Sequence, residues 1–155
     1  MDKVFTILGS LGIKYDRFDH PSVTTVTEAM EHLSSLPGIK IKNLLLQDKN
    51  NQYYLVFARL DTKIQINALG KKLNIPSPKM ANPSAMQYFK IETGAMCPFI
   101  ALNDTNHILK IFCDPSIGAE EKLMFHPLQN NVSIVLTKED LDKFLQTVGY
   151  SDTQF

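Results

Sequence analysis

Ile41-Lys42-Asn43-Leu44-Leu45-Leu46-Gln47 and Tyr53-Tyr54-Leu55-Val56-Phe57-Ala58 are two apolar runs parted by Asp48-Lys49-Asn50-Asn51-Gln52. Strand-length runs rich in branched and aromatic side chains, joined by a short polar turn segment, predict a β-hairpin. Upstream, Val4, Ile7, Leu8 and Leu11 recur at helical spacing and predict a short first helix. Tyr15–Phe18 reads as a short strand, and His20-Pro21 turns the chain. Thr25 with Glu28 spells a capping box, with Ala29, Met30 and Leu33 on one side of the helix that follows. Pro37-Gly38 stops that helix.

Downstream, Ile66–Leu73 is helical in pattern and is followed by Pro76 and Pro78. Asn82-Pro83 opens another helix over Pro83–Phe89. Phe99–Leu102 and Ile108–Cys113 flank the turn NDTNH and predict a second hairpin. Leu123–His126 and Val132–Leu136 read as two further strands. Thr137 with Asp140 caps a final amphipathic helix that buries Leu141, Phe144, Leu145 and Val148. Helices mixed with hairpin-linked strands predict an α+β fold with a mixed, mostly antiparallel sheet, not a doubly wound parallel one.

At 155 residues the chain fits a single domain over positions 1–155, large enough to bury its own core. A composition of 44% hydrophobic and 21% charged residues is that of a folded globular protein. No repeat or low-complexity tract divides it. No apolar run approaches the ~20 residues that span a bilayer. The N-terminal stretch MDKVFTILGSLG reads as a helix, not as a secretory signal. Cys97 and Cys113 have neither disulfide nor metal spacing, which points to a reducing, cytoplasmic setting.

Sixteen basic and sixteen acidic residues give no net charge, which excludes a uniformly basic nucleic-acid coat. The balance is uneven along the chain. Residues 38–90 carry nine basic against two acidic side chains, a net +7, and the remainder is correspondingly acidic. Such a block can form a face for a phosphate backbone, or lie scattered over a solvated surface.

The sequence contains no phosphate loop, dinucleotide fingerprint, zinc-protease helix or serine-hydrolase elbow. His20, His32, His107 and His126 lack ligand spacing, so neither a metal nor another cofactor is expected. Cys97 reads as a buried structural thiol.

Four stretches carry a resemblance. They are His20-Pro21-Ser22-Val23 with Thr25–Ala29; Leu36-Pro37-Gly38 leading to Lys42-Asn43-Leu44-Leu45-Leu46; Gly94-Ala95-Met96-Cys97-Pro98-Phe99 leading to Leu102-Asn103-Asp104; and Phe125-His126-Pro127-Leu128 with Asn131. In order and spacing they resemble the YbaK/prolyl-tRNA-synthetase-associated family of aminoacyl-tRNA editing domains, and within it the free-standing ProXp-ala type. That resemblance implies a compact mixed sheet wrapped by helices. It also implies trans-editing: hydrolysis of the ester joining a wrong amino acid, alanine first, to proline tRNA. Proline tRNA is the implied partner, with prolyl-tRNA synthetase a second one; no membrane is involved.

The resemblance further implies site residues. Lys42 sits where the family's Lys-Asn pair carries its key lysine, suited to a phosphate of the terminal adenosine or to the ester carbonyl. Read alone, it is a solvated edge-strand lysine. Asn43 follows at the next position and faces the other side of a regular strand. Gly94, with Ala95 and Pro98, forms a Gly-xxx-Pro loop whose N–H groups suit an oxyanion or the adenosine. His126, extended before Pro127, suits proton acceptance or ribose positioning, or a structural role. Val26, Met30 and Phe125 are the expected apolar walls, or ordinary core.

No nucleophile–base–acid set is visible in the sequence. The expected reaction is therefore direct attack by water, helped by the neighbouring tRNA 2′-hydroxyl. The chain departs from the family pattern at Cys97, Ile100 and Leu45, where Thr or Ser, a small residue and an aromatic residue are usual. These positions touch the expected pocket, so removal of cysteine from proline tRNA is an alternative. A non-catalytic tRNA-binding module and a small-molecule hydrolase are the others.

Overall fold

The computed structural model describes residues 2–155, with Val26 described by its backbone alone. The elements run α1 (Asp2–Ser10), β1 (Asp16–Asp19), α2 (Val26–Leu33), β2 (Ile39–Gln47), β3 (Tyr53–Arg59), α3 (Ile66–Leu73), β4 (Lys79–Met80) and α4 (Ser84–Tyr88). A 3-10 helix (Pro98–Asn103), β5 (Leu109–Cys113), β6 (Lys122–Phe125), β7 (Val132–Thr137), α5 (Lys138–Thr147) and β8 (Asp152–Gln154) complete the chain.

The strands form one sheet in the order β1-β7-β6-β2-β3-β5-β8, with β4 also pairing to β2. Antiparallel pairs join β1 to β7, β2 to β3, β2 to β4 and β6 to β7. Parallel pairs join β2 to β6, β3 to β5 and β5 to β8. The expected mixed sheet with helices around it is what forms.

The β2–β3 hairpin is its centre, in register from Ile41↔Arg59 to Gln47↔Tyr53. Burial from Tyr53 to Ala58 is continuous because β3 is covered on both faces. Tyr53, Leu55 and Phe57 enter the main core with α1 and α5, through Val4, Leu8, Leu141, Phe144 and Leu145. Tyr54 and Val56 point the other way and pack with Leu46 and Leu69, the latter from α3. A third cluster puts α2 on that second face, through Leu33 against Met124 and Val135.

The helix termini follow local chemistry. Thr25 Oγ1 accepts the Glu28 N–H at 3.1 Å, and Thr137 Oγ1 accepts the Asp140 N–H at 3.1 Å. The reciprocal half of the first box is displaced by one residue, since Glu28 Oε2 accepts from the Thr24 N–H at 2.7 Å.

One expected strand is absent. Phe99–Leu102 belongs to the 3-10 helix, and β5 pairs with β3 and β8 instead of with a hairpin partner. Pro98 lacks the N–H a ladder needs and pre-sets a helical φ. Phe99, Ile100 and Ala101 are buried in succession, as a strand covered on both faces would also be, so the proline and not the burial decides for the helix.

The feature that builds the site is a fork. β2 and β6 pair only at Ile39↔Leu123 and Lys40↔Met124. β4 takes up the same edge of β2 at Leu46↔Met80 and Gln47↔Lys79. Between these contacts no described strand pairs with this edge of β2.

Candidate active site

A cleft of about 380 Å³ lies over this fork. The volume is at the lower end of the ~300–1,000 Å³ usual for small-ligand sites. On one side stand Ala29, Met30 and Leu33 of α2. Lys40, Lys42 and Leu44 of β2, with Leu60 just past β3, form the other side. Ile41 and Asn43 of β2, Met124, Phe125 and His126 in and just past β6, and Val23, Thr24, Gly94 and Met96 also line it.

The strand period explains why neighbours on β2 have different roles. Lys40, Lys42 and Leu44 alternate onto the face shared by α2 and α3. Ile41 and Asn43 point to the opposite face, yet reach the cleft because β6 has diverged. Their backbone groups point there too. Lys40 O accepts from Leu60 N at 3.1 Å, on the β3 side, and Leu45 O accepts from Ala81 N at 2.9 Å on the other edge. In an antiparallel pair these directions alternate, so the N–H and C=O of Asn43 face away from β3.

The Lys42 ammonium donates to the carbonyl of Thr62. Thr62 is itself held, its Oγ1 donating to Asp114 Oδ2 at 2.5 Å. Asp114 also accepts from the N–H groups of Ser116, at 2.9 Å, and Arg59, at 3.2 Å. Burial pushes the Asp114 carboxyl up, but these donors outweigh it and leave its pKa below the ordinary value. Asp114 thus stays ionised and fixes the loop that carries the lysine's partner. Lys40 Nζ donates to Leu36 O at 2.7 Å, and burial lowers its pKa.

Asn43 Oδ1 is buried and has no hydrogen-bond partner among the described residues. Burying an unsatisfied acceptor costs about 1–3 kcal/mol. A carboxamide held that way beside a cleft is suited to a donor on a ligand.

Gly94 has φ +83°, and a Cβ there would lie 2.6 Å from Val23 O. Only glycine lets this loop close on the segment leading to α2. The contact joins two cleft-lining segments, 23–24 and 94–96.

The His126 imidazole lies just beyond β6. Its Nδ1 is 3.1 Å from Val132 O, so Nδ1 carries the hydrogen. In the neutral ring, Nε2 is then a lone-pair acceptor, and it has no partner among the described residues. Burial, with a smaller push from His20, moves the His126 pKa below its ordinary value, so the ring is neutral near pH 7. Beneath it, Cys97 is fully buried and donates to His126 O at 3.2 Å. Burial pushes its thiol pKa up to about 12, which makes it inert.

The structure therefore brings Lys42, Asn43, Gly94, His126, Met30 and Phe125 to one cleft. It does not bring Ala95 or Pro98 there. Ala95 is fully buried, and Pro98 turns the chain into the core as it opens the 3-10 helix. Met96 lines the cleft in their place. The Val26 side chain lies outside the described residues. Thr62 and Asp114 are not among the residues the sequence points to; the Asp114-Pro115-Ser116 turn is a signal for the second, and none marks the first.

Among the described residues no three His, Cys, Asp or Glu side chains group as metal ligands. No described helix is long and apolar enough to cross a membrane.

Comparisons with known proteins bear on this cleft. "Prolyl-tRNA synthetase associated domain-containing protein 1" of Mus musculus is 34% identical over 149 residues, covering 92% of this chain and 88% of that one. "Prolyl-tRNA editing protein ProX" of Acetoanaerobium sticklandii is 32% identical over 148 residues, covering 94% and 90%. Among solved structures, the hypothetical protein APE2540 superposes with a TM-score of 0.73 at 16% identity, over 97% of each chain. A proposed trans-editing enzyme for prolyl tRNA synthetase superposes with a TM-score of 0.66, also at 16% identity, over 99% of this chain and 94% of that one. At that identity the structures show a shared fold. The aminoacyl-tRNA editing domain profile matches residues 20–144, which include every cleft residue named above, and the chain belongs to that family.

Proposed function

We propose that this chain deacylates mischarged proline tRNA, with the alanyl ester as its first substrate. The observation that carries this reading is the convergence of Lys42, Gly94, His126 and an Asn43 acceptor unpaired among the described residues on one largely apolar cleft. A relative named as a prolyl-tRNA editing protein supports it. The chemical need is a second sieve: a site built for proline discriminates against a ligand smaller by a methylene by only about 1–3 kcal/mol.

The terminal aminoacyl-adenosine enters over α2, with the small side chain against Met30 and Phe125. The Lys42 ammonium turns from the Thr62 carbonyl toward the ester carbonyl and stabilises the charge that develops on it. The substrate's α-ammonium donates to Asn43 Oδ1, its missing partner. Water attacks the carbonyl carbon, and its proton passes to Nε2 of neutral His126. The ribose oxygen leaves with that proton as the tetrahedral adduct collapses. The tRNA 2′-hydroxyl orients the attacking water. The partners are proline tRNA and, after the relatives' names, prolyl-tRNA synthetase; the compartment is the cytoplasm.

The test is deacylation of Ala-, Cys- and Pro-charged proline tRNA, each also with a 2′-deoxy terminal ribose. The reading expects Ala-tRNA to be cleaved fastest, Pro-tRNA to be spared, and the 2′-deoxy substrate to be nearly inert. Faster cleavage of Cys-tRNA would reassign the substrate. Binding without cleavage of any would leave a tRNA-binding module.

A further inference from the structure

His126 does not stand alone, because Ser133 Oγ lies 3.1 Å from its Nδ1 and 2.8 Å from Nε2 of His20. His20 Nδ1 is 2.9 Å from Pro21 O, and the two imidazoles meet edge to face with centroids 5.6 Å apart. Ser133 is fully buried on β7, and His20 is partly exposed.

With the His20 ring in its neutral form, the directions of these bonds follow from which groups can only accept. Pro21 O only accepts, so His20 Nδ1 is a donor and Nε2 of the neutral ring is an acceptor. Ser133 must then give its one hydroxyl hydrogen to His20. What remains on Oγ is lone pairs, and it can only accept from His126 Nδ1. Val132 O makes the same demand on that nitrogen. Both neighbours therefore require hydrogen on Nδ1 and leave Nε2 bare. Without His20, the hydroxyl is free to rotate and donate to Nδ1, which would move the ring hydrogen to Nε2 and block it as a base.

We propose that His20 is a positioning residue for the reaction: by engaging the Ser133 hydroxyl it keeps His126 in the tautomer whose Nε2 can take the proton from water. This rests on the reading of His126 as that acceptor. His20 comes near no substrate in this role and acts only through Ser133.

The experiment is a double-mutant cycle on the full chain with His20→Ala, Ser133→Ala and the combination. Two readouts are taken: steady-state deacylation of Ala-tRNA, and two-bond 1H–15N NMR correlations that report which nitrogen of His126 is protonated. In the wild type Nδ1 should carry the hydrogen. His20→Ala should give mixed tautomers and about a tenfold loss in kcat with KM little changed, part of the ~10²–10⁴-fold a general base supplies. Ser133→Ala should lose less. The double variant should recover most of the loss, since only Val132 O then addresses Nδ1. That recovery is opposite to what two lost packing contacts would do. A single tautomer with wild-type kcat in His20→Ala, or a double variant worse than His20→Ala, would overturn the proposal. His126→Ala separates the two readings. Full activity there would overturn the role of His126 as base, while the spectra would still decide whether His20 sets its tautomer.

Discussion

Two polar regions of this protein differ in whether their buried acceptors are used. Around Asp104, which is 3% exposed, every acceptor is used. Its carboxylate accepts from the hydroxyls of Tyr88 and Tyr150, both at 2.7 Å, and from the N–H groups of Leu109 and Ile108, at 2.9 and 3.1 Å. In the cleft, neither the buried Asn43 Oδ1 nor His126 Nε2 has a partner among the described residues. A satisfied buried cluster holds a fold together, whereas an unsatisfied one beside a cavity is held ready for something else. The contrast separates stability from function within one chain.

The sharpest way to break that contrast is to remove Asp104. Asp104→Ala strips the acceptor from two phenols and two backbone N–H groups, and should cost about 3 kcal/mol or more in urea unfolding. Deacylation per folded molecule should stay within about twofold. Asn43→Leu should do the reverse. Deacylation should fall about 100-fold, or about 2.7 kcal/mol, while stability holds or rises because an unpaired buried acceptor is gone. If Asn43→Leu instead lowers stability and spares activity, the two clusters have been assigned the wrong way round.

Gly94→Ala tests the joint between the cleft segments. A Cβ 2.6 Å from Val23 O at positive φ should cost about 2 kcal/mol of stability and reduce activity as well. A neutral outcome would mean the loop moves freely. The smallest effect is in pH. The His126 pKa is lowered in the folded chain from an ordinary 6.5, so the folded state binds this proton less readily than the unfolded state. Its contribution to stability is present above the unfolded value and is lost as pH falls through it toward the folded one. The acidic limb of kcat/KM for the free enzyme should accordingly lie below 6.5. A limb at or above that value would point to another base.

Much of the fold was legible because local signals agreed with the tertiary structure. The two apolar runs around Asp48–Gln52 became the central hairpin, and Thr25 and Thr137 became N-caps. The segment after Pro98 is ambiguous in sequence because a short apolar run suits either a strand or a buried turn of helix, and the proline at its start decides for the helix. The site was legible only in part. Lys42, Gly94 and His126 stood out by resemblance, but strand alternation alone turned Asn43 away from them. Its place in the cleft follows from the divergence of β6, which no local pattern encodes. The Ser133 hydroxyl is 113 positions from His20, and the Thr62–Asp114 bond spans 52. Such contacts are invisible to spacing rules that reach a few residues.

The account turns on Lys42 of β2, and single-turnover deacylation of Ala-tRNA by Lys42→Ala tests it most directly. A loss of about 10³-fold is expected, the size that removing a preorganised donor to a developing oxyanion produces, with the urea midpoint little changed. A variant that folds normally and cleaves at the wild-type rate would contradict the assignment of this cleft.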